Sequence, residues 1–204
     1  MRRSTICVVV AVVLTACGGL LSVAADKKKP KPKPFKATCP VKGEPAEQDA
    51  FILVGGRKVY FCCQSCPFVF DLANDIERVR VNRQFLETGQ IVQIACPLTG
   101  HDLKPGVTID VGGVKVTLCC PGCQAKLNKL KGDKRIDAVF GKITRGFTFQ
   151  VKCPVSGKPI KPRHVVKYKK QAVFFCCPKC PKAFEANPKK FVSKLPQLRK
   201  KKKK

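Results

Sequence analysis

The apolar residues of this chain fall in short runs. Residues 51–54 and 58–61 flank Gly55-Gly56, and residues 107–111 and 114–118 flank Gly112-Gly113. Two short apolar runs split by Gly-Gly predict a β-hairpin. At the third such place Lys169-Lys170 occupies the turn, so the sequence defines that hairpin less sharply. Each second strand runs into a Cys-Cys pair followed by a helical segment, expected over residues 67–74, 124–130 and 181–186. Ahead of each hairpin lies a tight turn: Cys-Pro-Val-Lys-Gly, Cys-Pro-Leu-Thr-Gly or Cys-Pro-Val-Ser-Gly. Proline fixes φ and glycine supplies a left-handed position, so the turn curls around its cysteine.

These elements recur on a ruler of 57 residues, which carries twelve of the 14 cysteines. Each copy has the pattern Cys-x22-Cys-Cys-x2-Cys, and no gap is needed to align the copies. The ruler divides the chain into 34–90, 91–147 and 148–204; without linker and tail the modules are 37–90, 91–147 and 148–198. Phe61, Leu118 and Phe175 precede the Cys-Cys pairs. Phe70, Leu127 and Phe184 follow the last cysteine by one helical turn, where they can pack beneath it. A fixed period of this kind identifies a repeat architecture. The predicted fold is a set of small α+β modules, three tandem β-hairpin–helix repeats. Units of about 60 residues are marginal without a metal, disulfides or a partner. The cysteines are therefore expected to stabilise the fold as well as to carry its chemistry.

The ends differ from the modules. Residues 1–25 place Arg2 and Arg3 before an apolar stretch and then small residues, the form of an export signal. That stretch is shorter than the roughly 20 apolar residues of a transmembrane helix. Two processing sites compete. Leu14-Thr15-Ala16-Cys17 resembles a bacterial lipobox, which would lipidate Cys17; Val23-Ala24-Ala25 fits an ordinary cleavage site. Either implies export to a periplasmic or cell-envelope location, with a membrane contact only through a lipid anchor. Residues 26–36 read as an extended Lys/Pro linker, and residues 199–204 as a basic tail.

Within each unit the turn cysteine is brought beside a cluster at a strand end and helix start, where the unpaired N–H groups favour thiolates. The candidate ligands are Cys39, Cys62, Cys63 and Cys66; Cys96, Cys119, Cys120 and Cys123; and Cys153, Cys176, Cys177 and Cys180. Four thiolates suit Zn²⁺, and soft sulfur also suits Cu⁺ or another soft metal, with one ion per repeat. Met1 is the one methionine, and His101 and His164 are the two histidines, which argues against Met-rich copper sites and His-rich zinc loops. His101, near Cys96, is the weaker ligand candidate; His164 reads as a surface or turn residue. Lysines such as Lys115, Lys126, Lys179 and Lys182 are expected to offset thiolate charge.

The third unit carries the clearest resemblance. Phe175-Cys176-Cys177-Pro178-Lys179-Cys180-Pro181-Lys182-Ala183-Phe184-Glu185-Ala186-Asn187-Pro188-Lys189-Lys190-Phe191 resembles the C-terminal half of a YHS or TRASH-type domain. All three units satisfy that family's spacing through Cys39/Cys62/Cys66, Cys96/Cys119/Cys123 and Cys153/Cys176/Cys180. The resemblance implies a treble-clef-like zinc fold and heavy-metal binding in sensing, trafficking or resistance. Two departures stand out. Each unit adds a second cysteine beside the first of its pair, and the middle unit lacks the Phe and the Asn-Pro of the third.

The expected function is therefore that of an exported, non-enzymatic protein that binds zinc or another soft metal. No catalytic residue is assigned, since neither a phosphate loop nor a nucleophile elbow is present. The alternative is a disulfide- or zinc-stapled interaction module, because exported cysteines meet oxidising conditions. A thiol–disulfide oxidoreductase is a minor alternative, since Cys120-Pro121-Gly122-Cys123 and Cys177-Pro178-Lys179-Cys180 match such sites in spacing but lack their βαβ context. With 41 Lys and Arg against 13 Asp and Glu, the formal charge is +28. An anionic surface or an acidic protein is the expected macromolecular partner of the Lys-rich linker and tail. The phenylalanines sit in core-like positions and offer no base-stacking platform, so nucleic acid is not expected.

Overall fold

The computed structural model describes residues 35–198. The export signal, Cys17, most of the linker and the basic tail lie outside the described residues. Among the described residues no helix is long and apolar enough to cross a membrane.

In the first unit, β1 (Phe51–Val54) and β2 (Arg57–Tyr60) form an antiparallel hairpin, followed by α1 (Cys66–Val69) and α2 (Asp75–Glu87). The second has β3 (Val92–Gln93), the hairpin of β4 (Thr108–Val111) and β5 (Val114–Thr117), then α3 (Pro121–Asn128), α4 (Gly132–Phe140) and α5 (Ile143–Gly146). After β6 (Phe147–Thr148), the third has β7 (Lys161–Tyr168), β8 (Gln171–Phe175), α6 (Lys179–Ala186), α7 (Lys189–Val192) and a 3₁₀ turn at Pro196–Leu198. The result is a small mixed α+β structure of short hairpins and helices. β3 pairs with β6 and so joins the start of the second unit to the start of the third.

The third hairpin forms although its turn lacks glycine. Lys169 and Lys170 both adopt left-handed φ, 48° and 64°, as do Gly55 and Gly56 in the first unit. Such a pair of positive φ values matches the right-handed twist of the flanking strands.

The helices depart from expectation. The helix expected over 67–74 is replaced by the single turn of α1, because Phe70 is extended (φ −74°, ψ 126°). The main helix of that unit begins at Asp75, where Asn74 Oδ1 accepts from the backbone N–H groups of Ile76 and Glu77. This capping satisfies donors that would otherwise be orphaned at the first turn. α3 starts at Pro121, ahead of the expected 124, and α6 at Lys179, ahead of the expected 181. Pro121 suits the start of α3 because the first helical position needs no N–H.

α2 and the start of α4 occupy the same place on the 57-residue ruler, and they pack against each other. Val79, Val81 and Phe85 of α2 share one core with Val139 and Phe140 of α4 and with Phe61, Leu118 and Leu127. Polar contacts fix the docking. Arg80 forms an ion pair with Asp133 at 3.1 Å, Asn82 Nδ2 donates to Phe140 O at 3.0 Å, and Arg83 Nη1 donates to Gly112 O at 2.7 Å.

The third unit keeps a separate core of Val173, Phe175, Phe184 and Leu195 around its cysteines. Its equivalent helix is cut to the four residues of α7. Pro196 stands where α2 and α4 carry Asn82 and Val139. A proline there removes a helical hydrogen bond and clashes with the preceding turn.

Candidate metal centres

Each centre starts from the turn cysteine. Cys39 N–H donates to Glu44 O at 2.8 Å, and Gly43 N–H donates back to Cys39 O at 2.9 Å. The same two bonds recur as Cys96 to His101 (2.8 Å) and Gly100 to Cys96 (2.7 Å), and as Cys153 to Lys158 (2.8 Å) and Gly157 to Cys153 (2.9 Å). The closing glycines have φ of 78°, 79° and 72°. Three copies of one turn therefore present three sulfurs in the same way.

The second strand of each hairpin carries the next ligands. Phe61 N–H donates to Ala50 O at 2.7 Å and Leu118 N–H to Val107 O at 2.8 Å, which holds the strand end in place before the Cys-Cys pair. Phe61, Leu118 and Phe175 are fully buried beneath the pairs. Leu127 and Phe184 are buried one turn after the last cysteine, as expected. Phe70 reaches the same core from an extended segment, its ring 5.3 Å from Phe61.

Three sulfurs converge in every unit. The Sγ atoms of Cys39, Cys62 and Cys66 all lie within 4.8 Å of one another, as do those of Cys96, Cys119 and Cys123, and those of Cys153, Cys176 and Cys180. Cys62 and Cys66 are 3.6 Å apart, Cys119 and Cys123 3.6 Å, and Cys176 and Cys180 3.7 Å. A tetrahedral ion with metal–sulfur bonds of about 2.3 Å places its ligand sulfurs about 3.8 Å apart. The donor set and its spacing fit a soft metal ion, one per repeat. No family model, curated protein or solved structure matches the chain. The three cysteine triads positioned for a metal thus carry the functional reading by themselves.

The doubled cysteines stand outside the triads. Cys63 lies 3.5 Å from Cys66, Cys120 3.8 Å from Cys119, and Cys177 3.5 Å from Cys180. All three are partly exposed.

The electrostatics divide the thiols. Burial pulls the Cys39 thiol up, but the backbone N–H groups of Lys42, Cys62 and Val41 outweigh it and leave it below its ordinary value. Burial likewise opposes the fall at Cys96, yet Thr99 and the backbone of Cys119 bring it to about 7. Against the same opposing burial, the backbone and hydroxyl of Ser156 bring Cys153 to about 7. Burial and the neighbouring Cys63 thiol push Cys66 up to about 11; burial and the Cys119 thiol push Cys123 up to about 12. Cys62 and Cys180 are also raised by burial and their neighbouring thiols. The doubled cysteines shift down: Cys63 and Cys120 through the backbone N–H of Cys66 and Cys123, Cys177 chiefly through the Cys180 thiol. Each centre therefore lowers its turn thiol and its doubled thiol and raises at least one of the others.

One position beside every centre was not singled out in the sequence. Thr99 Oγ1 lies 3.3 Å from Cys119 Sγ, and Ser156 Oγ 3.0 Å from Cys176 Sγ. Lys42 occupies the same ruler position in the first unit, and its ammonium is held above its ordinary value by Cys63, Cys66 and Cys62. The 57-residue spacing of 42, 99 and 156 was the available signal. His101 contributes its carbonyl to the Cys96 turn, while its imidazole lies outside the triad. His164 sits on β7 and accepts from Arg163 Nε at 3.3 Å.

Proposed function

We propose that this chain is an exported soft-metal-binding protein whose three units each take one ion through thiolates, for sequestration or transfer. The convergence of three sulfurs in each unit carries the reading. Three sulfurs around one point serve one ion, whereas a disulfide staple needs two sulfurs about 2.05 Å apart. Zn²⁺ is the first candidate and Cu⁺ the second, since both accept thiolate sets. The sequence of turn, hairpin, cysteine pair and helix supports kinship with the treble-clef-like YHS and TRASH modules. Export rests on the composition of residues 1–25.

The doubled cysteine supports transfer over storage. Cys63, Cys120 and Cys177 are close enough to complete a fourth position and exposed enough to meet an incoming chelator. In this reading they form the exchangeable side of each centre, and the triads form the fixed side.

Cysteine replacement tests both statements. Cys39→Ser, Cys96→Ser and Cys153→Ser are each expected to lower bound metal by one ion per chain. Cys63→Ser, Cys120→Ser and Cys177→Ser together are expected to leave three ions bound but slow their transfer to a competing thiol chelator. Unchanged metal content in the first set would refute the triads as the sites.

A further inference from the structure

The third hairpin differs in charge from the other two. Lys158, Lys161, Arg163, Lys167, Lys169 and Lys170 are all exposed, and none pairs with a carboxylate among the described residues. On the 57-residue ruler the first unit has Glu44, Glu47, Asp49, Leu53, Gly55 and Gly56 at those places. At these places of the third unit, cations stand where the first has acids, an apolar residue and two turn glycines.

The turn supplies a second, independent observation. Lys169 and Lys170 hold left-handed backbone that the other two hairpins assign to glycine. L-residues with side chains adopt that region at a cost of roughly 1–2 kcal/mol each. Strain kept where glycine is the simpler solution points to a role for the side chains.

The exposed positions of β7 alternate along the strand: Lys161, Arg163, Val165 and Lys167. Among the described residues β7 pairs with β8 alone, and its register shifts between Lys161 and Val165. Beside it runs a groove of about 600 Å³ whose apolar lining is Ile94, Leu103, Pro162 and Val165. Clefts of about 300–1,000 Å³ are the usual size for a bound ligand. Lys161 and Arg163 also line it, with Asp102 as its one acid.

The geometry points to this groove as the docking site for an acidic peptide segment of a partner protein that also carries apolar residues. Its carboxylates would meet Lys161, Arg163 and Lys167, and its apolar residues Ile94, Leu103, Pro162 and Val165. The apolar floor favours this occupant over an anionic polymer, which has no use for it. Self-repulsion at a formal charge of +28 disfavours a second copy of the chain.

The test uses the metal-loaded full chain and three fluorescent probes: a ten-residue alternating Val-Glu peptide, an oligoglutamate of equal charge, and polyphosphate. At about 0.15 M salt, where surface charges are screened beyond about 8 Å, the alternating peptide is expected to bind at least tenfold more tightly than either of the others. Lys161→Glu/Arg163→Glu/Lys167→Glu is expected to lose at least tenfold in that affinity at unchanged metal content. Lys169→Gly/Lys170→Gly is expected to raise the melting temperature while weakening the peptide. Equal binding of all three probes, or no loss in the charge-reversed chain, would assign the affinity to general charge and overturn the docking site. Failure of the peptide to saturate, or its binding only through self-association of the chain, would overturn it as well. Metal content is read separately throughout, so loss of the metal reading and loss of the docking reading are distinguishable.

Discussion

Gln150 and Phe174 hold each other by two hydrogen bonds through one side-chain amide. Gln150 Nε2 donates to Phe174 O at 2.6 Å, and Phe174 N–H donates to Gln150 Oε1 at 3.0 Å. Gln93 makes the same pair with Thr117, at 2.6 and 3.0 Å. In the first unit Lys36 stands at the glutamine position, and Gln84 of α2 supplies the pair to Tyr60 instead, at 2.6 and 2.9 Å. One amide thus ties the strand end, two residues before each Cys-Cys pair, to the segment that leads into the turn cysteine.

Gln150→Leu is expected to cost about 1–3 kcal/mol for each backbone group left buried and unpaired. Because Phe174 precedes Cys176 by two residues, the third centre should also lose metal affinity. Denaturant unfolding and competition with a metal indicator check the two effects separately.

Gly55 and Gly112 occupy the same turn position but carry different loads. Both have positive φ, 57° and 63°. A Cβ at Gly55 meets nothing within 4 Å, whereas one at Gly112 falls 2.6 Å from Arg83 Nη1. Gly55→Ala is expected to cost roughly 1–2 kcal/mol of backbone strain. Gly112→Ala should cost more, and its excess should shrink in an Arg83→Ala background.

The two separate cores predict two unfolding units. Phe184→Ala removes a fully buried ring from the third core, a change that typically costs about 3–5 kcal/mol. It is expected to release one metal ion and leave the other two units folded. Phe61→Ala should weaken the first and second centres together. Hydrogen exchange read unit by unit distinguishes the two patterns.

Metal binding should release protons. Cys96 and Cys153, with values near 7, are largely ionised above neutral pH. Cys66 near 11 and Cys123 near 12 are protonated there and must lose their protons to bind. Apparent affinity should therefore rise with pH through the neutral range and fall in acid. Proton release in a weakly buffered metal titration checks the sign.

Much of the centres was legible in the chain. The 57-residue ruler placed Cys39, Cys62 and Cys66 and their copies, and the Gly-Gly pairs placed two hairpins. The cysteine pairs also looked equivalent by spacing; which member joins the triad depends on how the strand end turns into the helix, a three-dimensional matter. α2 escaped a reading fixed on the cysteines, although Asn74 three residues before Glu77 is a helix-start signal. α4 carried Ile136, Val139 and Phe140 at helical spacing. The swap of Gln84 for the missing glutamine at position 36 had no signal in sequence, because it depends on where α2 docks.

The most direct test is metal content and free-thiol count on the mature protein, purified from its export compartment without chelators. The account predicts about three soft-metal ions per chain, with thiols that react fully only after the metal is removed. A chain without metal, whose thiols appear only after reduction, would contradict it.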